Sequence, residues 1–395
     1  MRLVSFAAIG NRLFLGRWLS STQGLIRVRN RLKREIPSTY RRGFQKAWVE
    51  SHLGARRRQA KTSDAVVPLT IKISPTMRCN LHCLGCFAAA APSGSDLGLG
   101  LLSRLVGEAR ALGTPSIGVI GGEPLLVPGL FDVFDANRDM GFYLVTNGTK
   151  VDGAVCERLR TLPNVITVIS VDGFAETNDA NRGRGVYEQI LAAMCRLKEA
   201  HVCFGFSTVV HRQNRKEVVS ARFLDEMIGQ GCLMGAFLPY IPVGNAPRHD
   251  IVCSPQEVKD YYAELDTLAR SRAILILKEG YSDGTFLNSG CAAAETMHIT
   301  GNGDAEPCNG IEFSTANVRS HGISEILESP FFQAIRDLHP ERTRRCLVVT
   351  DPEGVLRVVN QCGALPTHAG ALERLEAYAR DFRIAVAASD INLDC

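Results

Sequence analysis

Thr76-Met77-Arg78-Cys79-Asn80-Leu81-His82-Cys83-Leu84-Gly85-Cys86-Phe87 decides how the rest of the chain is read. Its three cysteines stand at CxxxCxxC spacing, just after the apolar run of residues 69–73 and the pair Ser74-Pro75. An apolar run stopped by Ser-Pro predicts a buried strand opening into a loop. A loop this short folds its thiolates inward onto one object. Thiolates are soft ligands that suit iron–sulfur clusters or zinc. Structural zinc takes four ligands, and no fourth cysteine lies nearby. Three cysteines on a cluster leave one iron open to a substrate or cofactor. A zinc knuckle completed by His82, or three unrelated core cysteines, are the competing readings.

Beyond the loop, strand-like segments (residues 116–120, 142–145, 166–171, 203–209 and 235–240) alternate with helix-like ones (101–112, 130–137, 187–199 and 216–228). Repeated βα units predict an α/β fold with a parallel sheet, helices outside, and function in the loops after strand ends. Those loops carry Gly121-Gly122-Glu123-Pro124, Thr146-Asn147-Gly148-Thr149, Ser170-Val171-Asp172-Gly173 and residues 238–244. Paired glycines permit close backbone approach, and a carboxylate suits an ammonium group. A tight turn and a polar turn are the plain alternatives for the first two.

The run CNLHCLGCFA after the first strand, followed about 35 residues later by GGEP, resembles the radical S-adenosylmethionine (SAM) superfamily. The resemblance implies a partial (β/α)6 TIM-like barrel and a [4Fe-4S] cluster on Cys79, Cys83 and Cys86. It implies that SAM chelates the open iron, and that one electron releases a 5′-deoxyadenosyl radical that abstracts hydrogen. Gly121, Gly122, Glu123 and Pro124 would meet the SAM amino group, with Asn147 in a neighbouring loop. Ser170 would approach the ribose or carboxylate, and residues 238–244 the adenine. Arg182 resembles a family arginine near the cofactor, though a surface charge is an equal reading. Asn214 either serves that region or caps the next helix.

A second constellation follows. Gly290-Cys291 precedes residues 297–306, which read as a hairpin with an Asn302-Gly303 turn, then Cys308, a helix over 323–335, Cys346 and Cys362. The run HITGNGDAEPC resembles the SPASM/twitch auxiliary-cluster extension of the same family, without the dense CxxCx5CxxxC part of a full SPASM domain. That implies one auxiliary [4Fe-4S] cluster on Cys291, Cys308 and Cys346, with Cys362 as fourth ligand. Without Cys362, one auxiliary iron would face the substrate. A zinc hairpin or a metal-free domain competes. The expected domains are an extension (1–65), the barrel (66–275), the auxiliary domain (276–370) and a tail (371–395).

The composition, 45% hydrophobic and 22% charged over 395 residues, is globular. Thirteen cysteines, an odd number with three in one loop, favour ligation in a reducing compartment over disulfides. Cys156, Cys195, Cys203, Cys232 and Cys253 lack ligand spacing and read as core residues. Residues 1–62 hold 15 Lys/Arg against Glu35 and Glu50, so about +13 there leaves about −9 elsewhere. Trp18, Trp48 and Leu3, Phe6, Ile9, Leu13, Phe14 and Leu19 share this leader, which has no membrane-spanning run.

An interfacial anchor on an anionic membrane is one reading of the leader, with a packed extension, an organelle-targeting peptide and a nucleic-acid grip as alternatives. No recognition fold surrounds the basic residues, so nucleic acid is not an expected partner. The expected function is radical SAM chemistry, oxidative or bond-forming, on a lipid-like or membrane-associated substrate in the cytoplasm. It needs an external one-electron donor of flavodoxin or ferredoxin type. A peptide-modifying maturase and a non-catalytic iron–sulfur or zinc protein are the alternatives.

Overall fold

The computed structural model describes residues 22–52, 54–55, 66–91, 96–279, 293–338 and 346–388. It begins with α1 (Thr22–Glu35) and α2 (Ser38–Phe44), the latter running into a wider turn at Gln45–Glu50. Then come β1 (Thr70–Ile73), α3 (Leu99–Leu112), β2 (Ser116–Val119), α4 (Leu130–Ala136), β3 (Gly141–Thr146) and α5 (Gly153–Arg160). β4 (Val165–Ser170), α6 (Ala175–Arg182), α7 (Val186–Glu199), β5 (Phe204–Val210), α8 (Arg215–Val218) and α9 (Ala221–Gln230) continue the alternation. β6 (Met234–Pro239), α10 (Pro255–Arg270) and β7 (Leu275–Lys278) complete it.

Strands β1 to β7 lie side by side in chain order, each pair parallel, so all their C-terminal ends share one rim. The six expected units are present, and β7 adds a strand. Parallel strands covered on both faces are apolar nearly throughout, as Val-Ile-Thr-Val-Ile in β4 shows. Ile71, Ile117, Phe142 and Val165 belong to the large core, whereas Ile166, Val168 and Met234 form a second, smaller cluster. Trp48 fills that second cluster. Its ring meets Tyr143 at 4.3 Å between centroids, and its Nε1 donates to the Asn164 carbonyl at 3.2 Å. A Cβ on Gly141, at the start of β3, would stand 3.0 Å from the same ring.

Over the described residues the basic leader is therefore a packed extension at the N-terminal end of the barrel. Arg31 is buried, pairs with Glu35 at 2.8 Å, and donates to the carbonyls of Cys232 (2.8 Å) and Ile228 (2.9 Å). That arginine serves the fold rather than an anionic surface. Trp18 and the apolar residues Leu3 to Leu19 lie outside the described residues. No described helix is long and apolar enough to cross a membrane.

Two helices expected as single rods are broken. Between α8 and α9 Ser220 turns extended and caps Phe223, because its hydroxyl accepts the backbone N–H that a helix start leaves unpaired. The segment 323–335 splits into α11 (Ile323–Leu327) and α12 (Pro330–Asp337) at Ser329-Pro330. Proline has no N–H to give and fits only the first turn of a new helix.

The C-terminal part begins with β8 (His298–Ile299) and β9 (Ala305–Glu306), antiparallel, turning at Asn302-Gly303 with Gly303 at φ +91°. β8 also pairs in parallel with β1, so this hairpin continues the barrel sheet. β10 (Phe313–Ser314), α11, α12, α13 (Leu347–Thr350), α14 (Pro352–Gln361) and β11 (Leu365–Pro366) follow. Residues 371–388, set apart above as a tail, form α15 (Ala371–Ala388), whose Ala371, Leu375 and Ala379 are buried.

Candidate active site

The cysteine loop leaves β1 at the shared rim. Asn80, His82 and Leu84 face outward while Cys79, Cys83 and Cys86 are half-buried. The loop after β2 lies directly on it. Gly122 N–H donates to the Thr76 carbonyl at 3.0 Å and Glu123 N–H to the Arg78 carbonyl at 2.8 Å. A Cβ on Gly122 would stand 2.0 Å from the Arg78 oxygen, so no side chain fits there.

The thiols are neighbours in charge as well as in sequence. Burial pushes Cys83 up to about 11, with Arg182 opposing and Cys86, Asp172 and Cys79 adding to the rise. Cys79 is raised by burial, although N–H groups of Leu81 (3.4 Å) and Asn147 (3.7 Å) donate to its sulfur. Yet among the described residues no three His, Cys, Asp or Glu side chains stand close enough to share one metal ion. Three thiols on one loop, with His82 turned outward, suit an iron–sulfur cluster better than four-coordinate zinc. Ligation must displace their protons, so cluster uptake should rise with pH, by up to about tenfold in apparent affinity per unit for each thiol deprotonated. Anaerobic reconstitution followed at 420 nm between pH 7 and 9 measures this. A flat or falling profile contradicts it.

Glu123 is fully buried and accepts three hydrogen bonds, from Leu125 N (3.0 Å), Thr146 Oγ1 (2.7 Å) and Asn147 N (2.8 Å). Burial pushes its carboxyl up and these donors pull only part of the way back. The carboxylate thus braces the loop after β3 and keeps one acceptor site in reserve. Pro124 opens the short turn that Glu123 caps. Asn147, so placed, also donates to Asn80 Oδ1 at 3.0 Å. Glu123→Ala strands three donors and should lower unfolding free energy by at least about 2 kcal/mol, read by urea denaturation.

Ser170 ends β4 with its hydroxyl 3.5 Å from that of Ser207. Just beyond it, buried Asp172 gathers a polar shell that the sequence reading did not single out. It pairs with Arg182 Nε at 2.9 Å and accepts from Asn181 Nδ2 at 2.7 Å. Asn181 O in turn receives the N–H of Leu84, which places Arg182 beside the cysteine loop. Burial alone would lower the Arg182 pKa, but Asp172 and the thiols of Cys83 and Cys86 leave it raised. Asn214 does not cap its helix. Its amide donates to the carbonyls of Asp172 (3.1 Å) and Val209 (2.9 Å), tying β4 to β5. After β6, Tyr240 packs on Gly85, and Asn245 N–H donates to the Cys86 carbonyl at 3.1 Å.

Among the auxiliary cysteines, Cys308 follows β9 and Cys346 immediately precedes α13. Cys308 Sγ and a methyl of Val348 both lie 3.8 Å from where a Gly310 Cβ would stand, which brings the two segments together. Cys362 closes α14, and Cys291 lies outside the described residues. Reconstituted protein should carry more iron than one cluster accounts for, and Cys308→Ala should remove the excess. Iron at one cluster's worth in the parent protein contradicts an auxiliary cluster.

Residues 73–224 match the family model described as the radical SAM superfamily, and residues 291–348 the one described as an iron–sulfur cluster-binding domain, SPASM. The chain is a radical SAM enzyme with a SPASM-type domain. It is 27% identical over 303 residues to the AdoMet-dependent heme synthase of Methanosarcina barkeri, covering 68% of this chain and 85% of that one. It is 26% identical over 199 residues to the sporulation killing factor maturation protein SkfB of Bacillus subtilis, about half of each chain (49% and 47%). In fold it is similar to Streptococcus suis SuiB bound to its precursor peptide SuiA, with a TM-score of 0.60, 18% identity, and 72% and 70% of the two chains covered. The cofactors of this radical SAM enzyme are [4Fe-4S] clusters and SAM, and enzymes of its family take an electron from an external donor. The half-buried thiols, with the glycine loop after β2 pressed on the backbone just before Cys79, fit that pair.

Proposed function

We propose that this chain remodels a heme-type tetrapyrrole. Cys79, Cys83 and Cys86 hold the SAM-binding cluster, while Cys291, Cys308 and Cys346, with Cys362 as fourth, hold the auxiliary one. The observation that carries the substrate is the heme-synthase alignment, which spans most of that enzyme's length. When bound, cluster and SAM supply one-electron cleavage and hydrogen-atom abstraction. The residues here do the rest. N–H groups of Leu81 and Asn147 stabilise the Cys79 sulfur in its ligating state. Gly121 and Gly122 let the loop after β2 press on the backbone of Thr76 and Arg78, and Glu123 braces the loop after β3, so both loops stand beside the cysteines that would receive SAM. Trp48 closes the far end of the barrel against water. A flavodoxin- or ferredoxin-type protein supplies the electron.

A peptide substrate has less support. The SkfB match covers about half the chain, and the described N-terminal residues are helices under the barrel, offering no strand edge to a peptide. The lipid-like substrate rests on the leader alone and is tested by sedimentation with anionic liposomes. The deciding experiment is anaerobic turnover of reconstituted protein with SAM and dithionite. An iron porphyrin bearing propionates should stimulate 5′-deoxyadenosine release and lose mass from its side chains. Equal release with and without the porphyrin overturns the proposal.

A further inference from the structure

Glu312 is buried, with 3% of its surface exposed, between elements distant in sequence. One carboxylate oxygen accepts the N–H of Gly244 at 3.1 Å, and the other meets an Nη of Arg374, on α15, at 2.6 Å. Gly244, at φ +81°, lies against the cysteine loop so closely that a Cβ would stand 2.6 Å from both the Cys86 oxygen and Phe87 Cα. Further along that loop, Ala90 O accepts the N–H of Ala369 at 2.9 Å, just ahead of α15.

The near end of the loop is held by a parallel chain. Ser74 Oγ and His298 Nε2 are 2.7 Å apart, His298 Nδ1 and Glu306 Oε2 are 2.6 Å apart, and Thr367 Oγ1 donates to Glu306 Oε1. Burial would raise the Glu306 pKa, but His298 and His368 leave it below the ordinary range. Residues 367–374, outside both matched family regions, therefore reach the cysteine loop through two buried carboxylates. A buried ion pair is a poor way to gain stability compared with apolar packing, but it fixes the position of whatever it bonds.

We propose that Glu312, braced by Arg374, is a positioning residue for SAM binding. It fixes the Gly244 backbone and, through that contact, the seat of Cys86. This rests on the reading of Cys79, Cys83 and Cys86 as cluster ligands. A shift of Cys86 by a fraction of an ångström would move a cluster held by the three cysteines relative to the loops around it, and misplacement on that scale is costly.

The test uses the full chain carrying Glu312→Ala, Glu312→Gln or Arg374→Lys. Hydrogen exchange of residues 84–90 is measured in metal-free protein, and iron content and the SAM dissociation constant in reconstituted protein. Glu312→Ala should exchange at least about tenfold faster in 84–90 and bind SAM about tenfold more weakly, with iron unchanged. Glu312→Gln keeps an acceptor for Gly244 and should recover most of both. Parent-like exchange and SAM affinity in Glu312→Ala overturn the proposal. So does exchange that rises as much in β4 as in the loop, since that reports ordinary destabilisation. If Glu312→Ala does not fold, Arg374→Lys decides by the same two readouts: a looser loop and weaker SAM binding support the proposal, and parent values overturn it. Exchange in the metal-free protein does not depend on the cluster. A parent protein that binds no SAM would therefore overturn the cluster reading while leaving the brace measurable.

Discussion

Cys83→Ala should lower 5′-deoxyadenosine formation at least about a thousandfold, equivalent to about 4 kcal/mol in the barrier. The expected loss is large because the three thiols act as one unit. Cys83 feels Cys86 and Cys79 directly, and Arg182 sits beside it. If Cys79, Cys83 and Cys86 hold the cluster, removing one of them would leave two thiols, too few to hold it in place beside the loop of residues 121–124. Cys79→Ala and Cys86→Ala should match it. Cys156→Ala is the control, because Cys156 is buried on α5 in the main core. Its loss should leave turnover within about twofold in protein that still folds. Anaerobic turnover with dithionite checks all four. Retained SAM cleavage in Cys83→Ala, at parent iron content, would sink the ligand assignment.

Trp48→Ala should cost about 3–5 kcal/mol of stability, in the range for deleting a large buried aromatic side chain. Its ring joins the inner cluster with Ile166, Val168 and Met234 and stacks with Phe44 at 6.3 Å. Beyond that, Trp48→Ala leaves the Asn164 carbonyl without its indole donor. Trp48→Phe keeps most of the ring contact and loses only that bond, so about 1 kcal/mol is expected. Urea denaturation of the metal-free protein separates the two. Deleting residues 1–55 should be worse than Trp48→Ala, since the contacts of Arg31 and Tyr40 go as well. A deletion that melts like the parent would restore the view of the whole leader as a detachable anchor.

The chemistry of this protein was legible in the sequence because it is written in short windows. CxxxCxxC spacing, two adjacent glycines and an Asn-Gly turn each act through residues a few positions apart. Alternating apolar runs and amphipathic segments were enough for the parallel sheet, because strand and helix periodicities are local as well. Helix interruptions at Ser220 and at Ser329-Pro330 were also written locally, and apolar periodicity simply outweighed them in the reading.

The partners of charged and aromatic side chains were decided only by the tertiary structure. Arg31 reads as one more cation in a basic leader, but its carbonyl partner in Cys232 is 201 residues away. Glu312 belongs to no short motif, and its meaning lies in Gly244, 68 residues earlier, and Arg374, 62 later. In the sequence Asp172 is one residue of the stretch 170–173 after a strand, and only the fold closes Arg182, Asn181 and Asn214 round it. The pairing of β8 with β1, which joins the auxiliary hairpin to the strand that launches the cysteine loop, has no local signature either. A chain's periodicity records which faces are apolar. Which distant group neutralises a buried charge depends on how those faces meet, and that is settled only when the backbone closes on itself.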